Sequence, residues 1–417
     1  LTQTPERDQG SLYVDLRTLK LNSARLRVEL MAGERALAVW ETMLTAQDPA
    51  TPLPAPTRIP VTVDAPAGIQ VANYPVTFGV PFPVGTLWDL ARLRVIDAAG
   101  REVPSQKEVT ALWAPEGAIR WLRFDALVNS NTQYFVEVGG QPATAKPATP
   151  LTLAEAGGRV TVDTGVARYV LGKGSSPIQE IWMNQTRVAT SVGARGLYVV
   201  DQENRFAAAS AVAEKMEIER AGPVAACVRF EGFYKTDDGV NLARHITRVE
   251  AFAGRPFARV THTLVLINDT NEVWFKDIGW ELAVTPGGQP KAVFGTSRQD
   301  FDKNHIVSFQ SGAVAAMLQN EHYRFGGGKN HFAVSRAMAG REQTLFEGEE
   351  CGDYAALVGQ SGGLLMACKE AARQHPKEFS IQPDRMNLLL FSSRGGEELD
   401  FRRETLVRKW RLSLRPI

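Results

Sequence analysis

Hydrophobic and polar residues alternate with a period of two along much of the chain. Clear examples are Arg25–Leu30, Arg159–Asp163, Lys215–Glu219 and Lys409–Leu414. Successive side chains of a β-strand point to opposite faces, so this alternation predicts strands that are buried on one side. Turn sequences rich in glycine, aspartate and proline fall between many of these runs. The pattern predicts an all-β chain built from many short strands.

Helical periodicity is scarce in this sequence. The best helix candidate is Met366–Gln374, which is short and is followed by Pro376. A proline ends a helix because its ring removes an N–H donor and clashes with the preceding turn. Many short strands at close spacing are typical of β-sandwiches and β-barrels, so we expect folds of that kind.

Two segments of linker composition divide the chain. Gln47–Pro60 carries five prolines, and Gln141–Pro150 is rich in proline, alanine and threonine. Proline disfavours helices and the centres of sheets, so both segments are predicted to join domains. The predicted domains are residues 1–55, 56–145 and 150–417, the last being one large β-sandwich.

Composition and charge exclude several classes of function. The 417 residues include 47 lysines and arginines and 46 aspartates and glutamates, which leaves a net charge of +1 and no basic field for nucleic acid. No run of about 18 apolar residues occurs, so no membrane span is predicted. Cys227, Cys351 and Cys368 are too scattered for a disulfide framework or a zinc site, and we expect three buried thiols, with one disulfide plus a free thiol as the alternative.

An ordered series of glycine, proline and tryptophan landmarks runs through the second predicted domain. It comprises Tyr74–Gly85, Gly100–Gln106 and Trp113–Phe124. The series resembles the N-terminal RIFT-barrel domain of proteins similar to exo-rhamnogalacturonan lyase, with its FGVP, VP-Q and RW elements. The Asp-Gly-Ser of that pattern is replaced here by Glu116–Ala118, which keeps the small turn and loses the hydroxyl.

The resemblance continues downstream, into the central β-sandwich of the same family, and spans about residues 70–417. The matching elements are Gly158–Gly165, Ala221–Pro223, Val228–Gly232, Ala251–Gly254, Val260–Thr263, Phe275–Gly279 and Gln374–Lys377. It implies a RIFT-type β-barrel followed by a large antiparallel β-sandwich. Residues 1–55 resemble the last strands of a galactose-binding-like sandwich, which implies a short N-terminal β remnant. Full-length relatives continue into a helical toroid after the equivalent of Leu412, so we expect a middle segment of a larger enzyme, or a relative without the toroid.

The resemblance implies a carbohydrate-active protein that cleaves uronate-containing polysaccharide by β-elimination. Such a reaction must neutralise the C6 carboxylate, remove the C5 proton and protonate the leaving O4 oxygen. The expected partner is an acidic polysaccharide or oligosaccharide, and we expect a secreted or periplasmic protein. Two alternatives stay open: a non-catalytic glycan-binding protein, and a structural scaffold that lacks the catalytic toroid. Oligomerisation is left open as well.

One segment, Gln319–His331, gathers the residue types that elimination requires. Three consecutive glycines in it fit a loop that passes close to a ligand. Its candidate catalytic residues are His322, Tyr323, Arg324 and His331, and Lys329 is a candidate substrate-binding residue. The alternative interpretation is an exposed polar hairpin.

A second basic cluster, Arg373–Glu378, follows the helix candidate. Lys377 in it is a further candidate catalytic residue, and Arg373 and His375 are candidate substrate-binding residues. The alternative is that the basic residues only complement the negative end of a helix dipole.

Tryptophans stack well on the apolar faces of sugars. Trp182 is predicted to bind substrate in this way, whereas Trp113 and Trp121 are predicted to lie in the barrel core. His262 shares a strand face with hydrophobic residues and is predicted to be a satisfied core histidine.

The sequence contains no cofactor motif, and no cofactor is predicted. Asp269, Glu272 and Asp277 carry the oxygen ligands that Ca²⁺ prefers, but they lack the spacing of a known calcium loop.

Overall fold

The computed structural model describes residues 23–32, 35–45, 53–65, 68–115, 117–209, 215–300, 302–310, 312–321, 330–374, 376–395 and 408–416. The chain forms two compact units, Leu1–Lys146 and Pro147–Ile417. Both consist of antiparallel strands, and the prediction of an all-β protein is confirmed. In the described part of the chain, no helix has the length and hydropathy needed to cross a membrane.

The first unit contains eight described strands. They are β1 (Ser23–Ala32), β2 (Arg35–Thr45), β3 (Thr57–Thr62), β4 (Tyr74–Pro81), β5 (Leu93–Asp97), β6 (Ser105–Leu112), β7 (Ile119–Val128) and β8 (Gln133–Val138). Strands β1 and β2 form a hairpin, while β3–β8–β5 and β4–β7–β6 form two three-stranded sheets. Buried side chains from both three-stranded sheets, among them Leu93, Phe124 and Val136, form one hydrophobic core. This is the RIFT barrel that the sequence predicted.

The second unit contains the remaining described strands. They are β9 (Thr152–Ala156), β10 (Arg159–Asp163), β11 (Ala167–Gly172), β12 (Ile178–Met183), β13 (Thr186–Thr190), β14 (Gly196–Asp201), β15 (Phe206–Ala209), β16 (Lys215–Ala221), β17 (Ala225–Thr236), β18 (Asn241–Phe252), β19 (Ala258–Leu266), β20 (Phe275–Val284), β21 (Lys291–Gly295), β22 (Asn304–Ser308), β23 (Val314–Glu321), β24 (Asn330–Met338), β25 (Arg341–Gly348), β26 (Tyr354–Gly359), β27 (Gly362–Cys368), β28 (Lys377–Gln382), β29 (Arg385–Phe391) and β30 (Arg408–Pro416).

Strands β13–β30 form the two layers of the large β-sandwich, and β9–β12 continue from β13 as an antiparallel run. The first layer runs β25–β24–β23–β28–β29–β20, and β20 also pairs with β13 and β14. The second layer runs β16–β17–β18–β19–β30–β27–β26–β21–β22. Strand β15 pairs with both β14 and β17 and so connects the two layers.

One row of side chains shows which face of the first layer belongs to the core. Trp280, Leu388, Phe379, Met317 and Val334 are successive register partners across five strands, and all are buried. Residues next to them in each strand must point to the opposite face, because side chains alternate along a strand. This alternation divides the residues discussed below between core and outer face.

The prediction of a helix over Met366–Gln374 was wrong. Its first three residues, Met366–Cys368, end strand β27, which pairs with β26 and β30, and Ala371–Arg373 form a three-ten turn. Glu370 precedes this turn with a φ of 58°, in the left-handed region. Pairing with strands on both sides decides the conformation here, and local helix propensity is too weak to oppose it.

Placing Trp113 and Trp121 in the barrel core was also wrong, since each is 40% exposed. In β7 the inward positions are taken by Leu122 and Phe124, which are fully buried, so Trp121 faces outward. Trp113 lies just after β6, and its indole N–H donates to the carbonyl of Phe82 at 2.9 Å.

Two predictions about buried polar groups are confirmed. Cys227, Cys351 and Cys368 are buried free thiols. His262 is buried in the second layer, where its two ring nitrogens lie 3.0 Å from the Tyr234 hydroxyl and 2.9 Å from the Thr247 hydroxyl.

Candidate functional site

The first layer of the sandwich carries a set of polar side chains on the face opposite its core row. Glu281, Asn387 and Ser380 are register partners in β20, β29 and β28, and the same row continues to Ala316 and Ser335. We refer to this side of the first layer as the polar face. It gathers residues from segments that lie far apart in the sequence.

At one end of the polar face two arginines contact a buried glutamate. Glu281 is 3% exposed, and its carboxylate accepts hydrogen bonds from the Arg195 backbone N–H at 3.1 Å and from Arg195 Nε at 2.9 Å. Arg385 Nη1 lies 3.8 Å from the same carboxylate. Arg385 also pairs with Asp384, whose side chain is mostly in solvent. The buried carboxylate therefore fixes one cation directly and lies within ion-pair distance of a second.

These groups line a shallow, solvent-open depression of about 460 Å³, a volume within the range of small-ligand sites. Its lining residues are Gly193, Ala194, Arg195, Glu281, Gln382 and Arg385. Two arginines and one glutamate line it, together with the amide of Gln382, and Asp384 beside the lining pairs with Arg385. Such a surface is suited to an anionic group that also carries hydroxyls.

Tyr198 and Asn387 both contact the Arg195 guanidinium. The Arg195 guanidinium lies 4.3 Å from the centroid of the Tyr198 ring, and the Tyr198 hydroxyl lies 2.9 Å from the Asn387 amide. In the amide orientation that satisfies both groups, Asn387 Oδ1 also accepts from Arg195 at 3.0 Å. Burial raises the pKa of Tyr198 to about 12, so its hydroxyl stays protonated near neutral pH. The guanidinium is therefore oriented by a carboxylate, an amide and an aromatic ring.

Gly279 makes room for this arrangement. A Cβ atom at this position would lie 2.4 Å from Tyr198 Cζ, which is closer than any real contact. The Tyr198 ring therefore requires a glycine beneath it. This gives a physical reason for the glycine that ends the Phe275–Gly279 landmark.

A second ionic group lies farther along the polar face. Glu378 is buried and accepts hydrogen bonds from the Ser392 hydroxyl at 2.5 Å and from Arg394. Arg394 also pairs with Glu342. A hydrogen bond from the Ser335 hydroxyl and the nearby Arg394 charge lower the pKa of Glu342 below its usual value. All the charges in this group are paired with one another, which favours a structural role.

His331 is the candidate catalytic histidine that the structure describes. It lies at the start of β24 on the same side of the sheet as the polar face; its side chain is 44% exposed, and its Nε2 is 3.6 Å from Glu347 Oε1. Four strand spacings separate β24 from β20, which corresponds to about 19 Å. The structure therefore does not bring His331 to the depression around Glu281.

Lys377 lies on the core side of β28 and is 2% exposed. Its ammonium donates to the carbonyl of Leu390. Its register partner Gln319 is also buried and donates to the carbonyls of His331 at 3.3 Å and Glu349 at 3.0 Å. These contacts favour a structural role for Lys377, and its catalytic assignment stays a prediction.

Trp182 is half-buried on β12, outside the depression. Its indole N–H donates to Glu180 at 2.8 Å, and the Arg168 guanidinium lies 4.7 Å from the ring centroid, so one ring face is already covered. Arg373 is exposed in the three-ten turn. The remaining candidates lie outside the described residues: His322, Tyr323, Arg324, Lys329 and His375.

Within the described ranges, no group of three or more histidine, cysteine, aspartate or glutamate side chains is arranged to hold a metal ion. Asp277 accepts from the backbone N–H and the hydroxyl of Ser393, at 2.9 and 3.0 Å. Asp269 accepts from the backbone and side chain of Asn271. Two of the three acidic side chains considered for Ca²⁺ are thus occupied by protein donors.

Sequence reasoning did not identify Arg195, Glu281 or Arg385. Each is a common surface residue type with no motif around it. The available signal for Glu281 was indirect. This charged residue interrupts the hydrophobic pattern of strand β20, and a buried charge requires a partner of opposite charge or a hydrogen-bond donor elsewhere in the fold. The sequence does not show where that partner lies.

Comparisons with known proteins match the two units to one family. The PcRGLX-like N-terminal RIFT barrel domain matches residues 67–138, and the PcRGLX-like protein central beta sandwich domain matches residues 151–290. Together these matches cover about half of the chain. No curated protein matches.

Solved structures give more distant similarities. An alpha-mannosidase from Enterococcus faecalis V583 has 11% identity and a TM-score of 0.40, over 87% of this chain and 41% of that one. A glycosyl hydrolase family 38 protein from Enterococcus faecalis has 10% identity and a TM-score of 0.42, over 84% of this chain and 43% of that one. This chain thus spans less than half of each of these proteins, and at such similarity no activity is transferred from them.

Proposed function

Because the chain belongs to the PcRGLX-like family through its RIFT barrel and central β-sandwich, we propose that it is a carbohydrate-active protein acting on uronate-containing polysaccharide by β-elimination. The observation that carries this proposal is the pair of arginines, Arg195 and Arg385, at the buried carboxylate of Glu281. The proposed partner is an acidic glycan outside the cytoplasm, since such polymers are too large to enter a cell intact.

The depression is suited to a sugar carboxylate. A guanidinium binds a carboxylate through two parallel hydrogen bonds, and such charge-assisted bonds are about twice as strong as neutral ones. Arg195 and Arg385 both keep part of their side chains in solvent, with exposed fractions of 45% and 32%. Gln382 can donate to or accept from a neighbouring hydroxyl. A uronate therefore fits this site better than a neutral sugar does.

Binding the carboxylate in this way also prepares the sugar for elimination. The C5 proton is weakly acidic, and neutralising the adjacent C6 carboxylate stabilises the charge that develops when the proton leaves. A base must then remove that proton, and an acid must protonate O4. His331 is too distant to serve a sugar bound at Arg195. The sequence-based candidates His322 and Tyr323 lie outside the described residues, so their roles as base and acid stay predictions.

A non-catalytic glycan-binding protein is the second candidate. The depression itself favours it, because the part of its lining that the structure describes offers arginine, glutamate and glutamine but no histidine, lysine or tyrosine. In this case the arginine pair would bind an acidic polymer without cleaving it. The two candidates share the binding site and differ in turnover.

Binding is tested by electrophoresis of the full chain through gels containing polygalacturonate. The double variant Arg195→Ala, Arg385→Ala should raise the Kd about tenfold or more, since two charge-assisted contacts are lost. Arg187→Ala is the matched control, because the Arg187 side chain is also 45% exposed and pairs with Glu180 outside the depression. Equal binding by the double variant and the wild type would refute the site.

Cleavage is followed by the ultraviolet absorbance of unsaturated uronate released from rhamnogalacturonan or polygalacturonate. A rising absorbance supports the lyase, while binding without any rise supports the glycan-binding alternative. The sequence-based assignment of His331 predicts that His331→Ala abolishes turnover with folding intact. Its distance from the depression instead predicts unchanged turnover and unchanged polygalacturonate binding, so a loss of turnover would restore the sequence-based assignment.

A further inference from the structure

The barrel unit exposes tryptophans on its surface. Trp88, Trp113 and Trp121 are 52%, 40% and 40% exposed. The indole N–H groups of Trp88 and Trp113 are bound to the backbone carbonyls of Gly85 and Phe82. Within the described part of the chain, the indole N–H of Trp121 makes no hydrogen bond, so it remains available to a ligand.

Trp121 lies on the central strand of the β4–β7–β6 sheet, with its side chain on the outer surface. Its register partners are Pro81 on one side and Ala111 on the other, and both have small side chains. A Cβ atom at Gly79 would lie 3.7 Å, an ordinary contact distance, from two carbons of the indole ring, so the ring lies over Gly79. The surroundings leave the ring accessible beside an exposed glycine.

The residues that follow on the same outer surface are polar. Arg123 lies two residues after Trp121 in β7 and forms an ion pair with Glu108 on β6. Its register partner on β4 is Gly79. Two positions farther along β7, Asp125 is buried on this side of the sheet and accepts hydrogen bonds from Thr77 at 2.6 Å and Gln106 at 3.1 Å. Each step along the strand is about 7 Å. An aromatic ring is thus followed by an ion pair and then by a hydrogen-bonded polar group.

We propose that this outer surface of the barrel is a glycan-binding site separate from the depression on the sandwich. Its ligand is a pyranose unit of an acidic polysaccharide, which stacks its apolar face on Trp121 and directs a carboxylate or hydroxyls to Arg123. Sugars combine an apolar ring face with polar edges, and this surface presents the same combination. A protein partner would instead need a contiguous apolar patch. Here the charged residues Arg123 and Glu108 occupy the next position along the strands on the same side as Trp121. The identity of the glycan rests on the proposed function; the site itself rests on the barrel geometry.

The test uses the full chain and electrophoresis in gels containing polygalacturonate. Trp121→Ala should raise the Kd about tenfold, and Trp121→Phe should give a smaller increase because it keeps part of the stacking surface. Arg123→Ala should weaken binding as well. Trp88→Ala is the matched control, since Trp88 is more exposed than Trp121 but its indole N–H is bound within its own loop.

The outcomes separate this site from the depression. Unchanged binding by Trp121→Ala, an equal loss in Trp88→Ala, or no binding of polygalacturonate by the wild type would each overturn the barrel site. If Trp121→Ala weakens binding while the Arg195→Ala, Arg385→Ala double variant does not, the barrel site stands and the proposed role of the depression fails. If both weaken binding, both sites stand.

Discussion

Lys377 and Glu378 are consecutive residues of β28, and their charged ends lie on opposite sides of the same sheet. The Lys377 ammonium enters the core side and donates to the Leu390 carbonyl, whereas the Glu378 carboxylate lies on the polar face with Ser392 and Arg394. Each residue is 2% exposed. Lys377, the basic residue of the family-like element Gln374–Lys377, is therefore directed away from the face that carries the candidate site.

This placement predicts that Lys377→Met leaves polygalacturonate binding, and any turnover, close to wild-type values. Methionine has a similar length and fills the same space, although the Leu390 carbonyl loses its donor at a cost of about 1–3 kcal/mol. Lys377→Ala should cost more, about 2–5 kcal/mol, because it also leaves a cavity. Urea unfolding measures both costs. A Lys377→Met variant with normal stability and no turnover would restore the catalytic assignment made from the sequence.

The buried histidines predict how stability depends on pH. Burial lowers the pKa of His262 from 6.5 to about 3 and that of His245 from 6.5 to about 4. Between these values and 6.5 the unfolded chain binds protons that the folded protein does not, so stability is full above about pH 6.5 and falls as the pH is lowered. Each histidine contributes a slope approaching about 1.4 kcal/mol per pH unit.

His245→Asn tests this dependence. An asparagine amide can still approach the Thr247 hydroxyl, which lies 3.2 Å from His245 Nδ1, but it does not titrate. Urea unfolding between about pH 5 and pH 6.5 should therefore show a shallower decline for the variant than for the wild type. The same slope in both proteins would show that His245 does not contribute.

The three cysteines should resist modification until the protein unfolds. Burial raises the pKa of Cys227 to about 12 and that of Cys368 to about 11, and it also raises the pKa of Cys351. The thiolate is the reactive form, so an aromatic disulfide reagent at about pH 8 should label none of them in the folded protein. All three should react in guanidinium chloride. Rapid labelling of one thiol without denaturant would show that its surroundings open.

Local sequence was sufficient to predict strands wherever alternation was the dominant signal. Arg159–Asp163 and Lys215–Glu219 are strands β10 and β16 with only small differences at their ends. One face of each strand is buried, and the alternation of hydrophobic and polar residues within that strand is sufficient to show it. Met366–Gln374 failed because its first residues gain hydrogen bonds from β26 and β30, and those partners are not visible within a short window.

The sequence by itself determined the strand-rich character of the chain, its two-part family resemblance and the burial of His262 and the cysteines. Tertiary structure alone decided which charged residues meet: Arg195, Glu281 and Arg385 come from distant segments that only strand register brings together. It also decided that Trp121 faces solvent and Lys377 faces the core. The physical reason is that alternation shows that two faces differ, while the packing of the sheets fixes which face is covered.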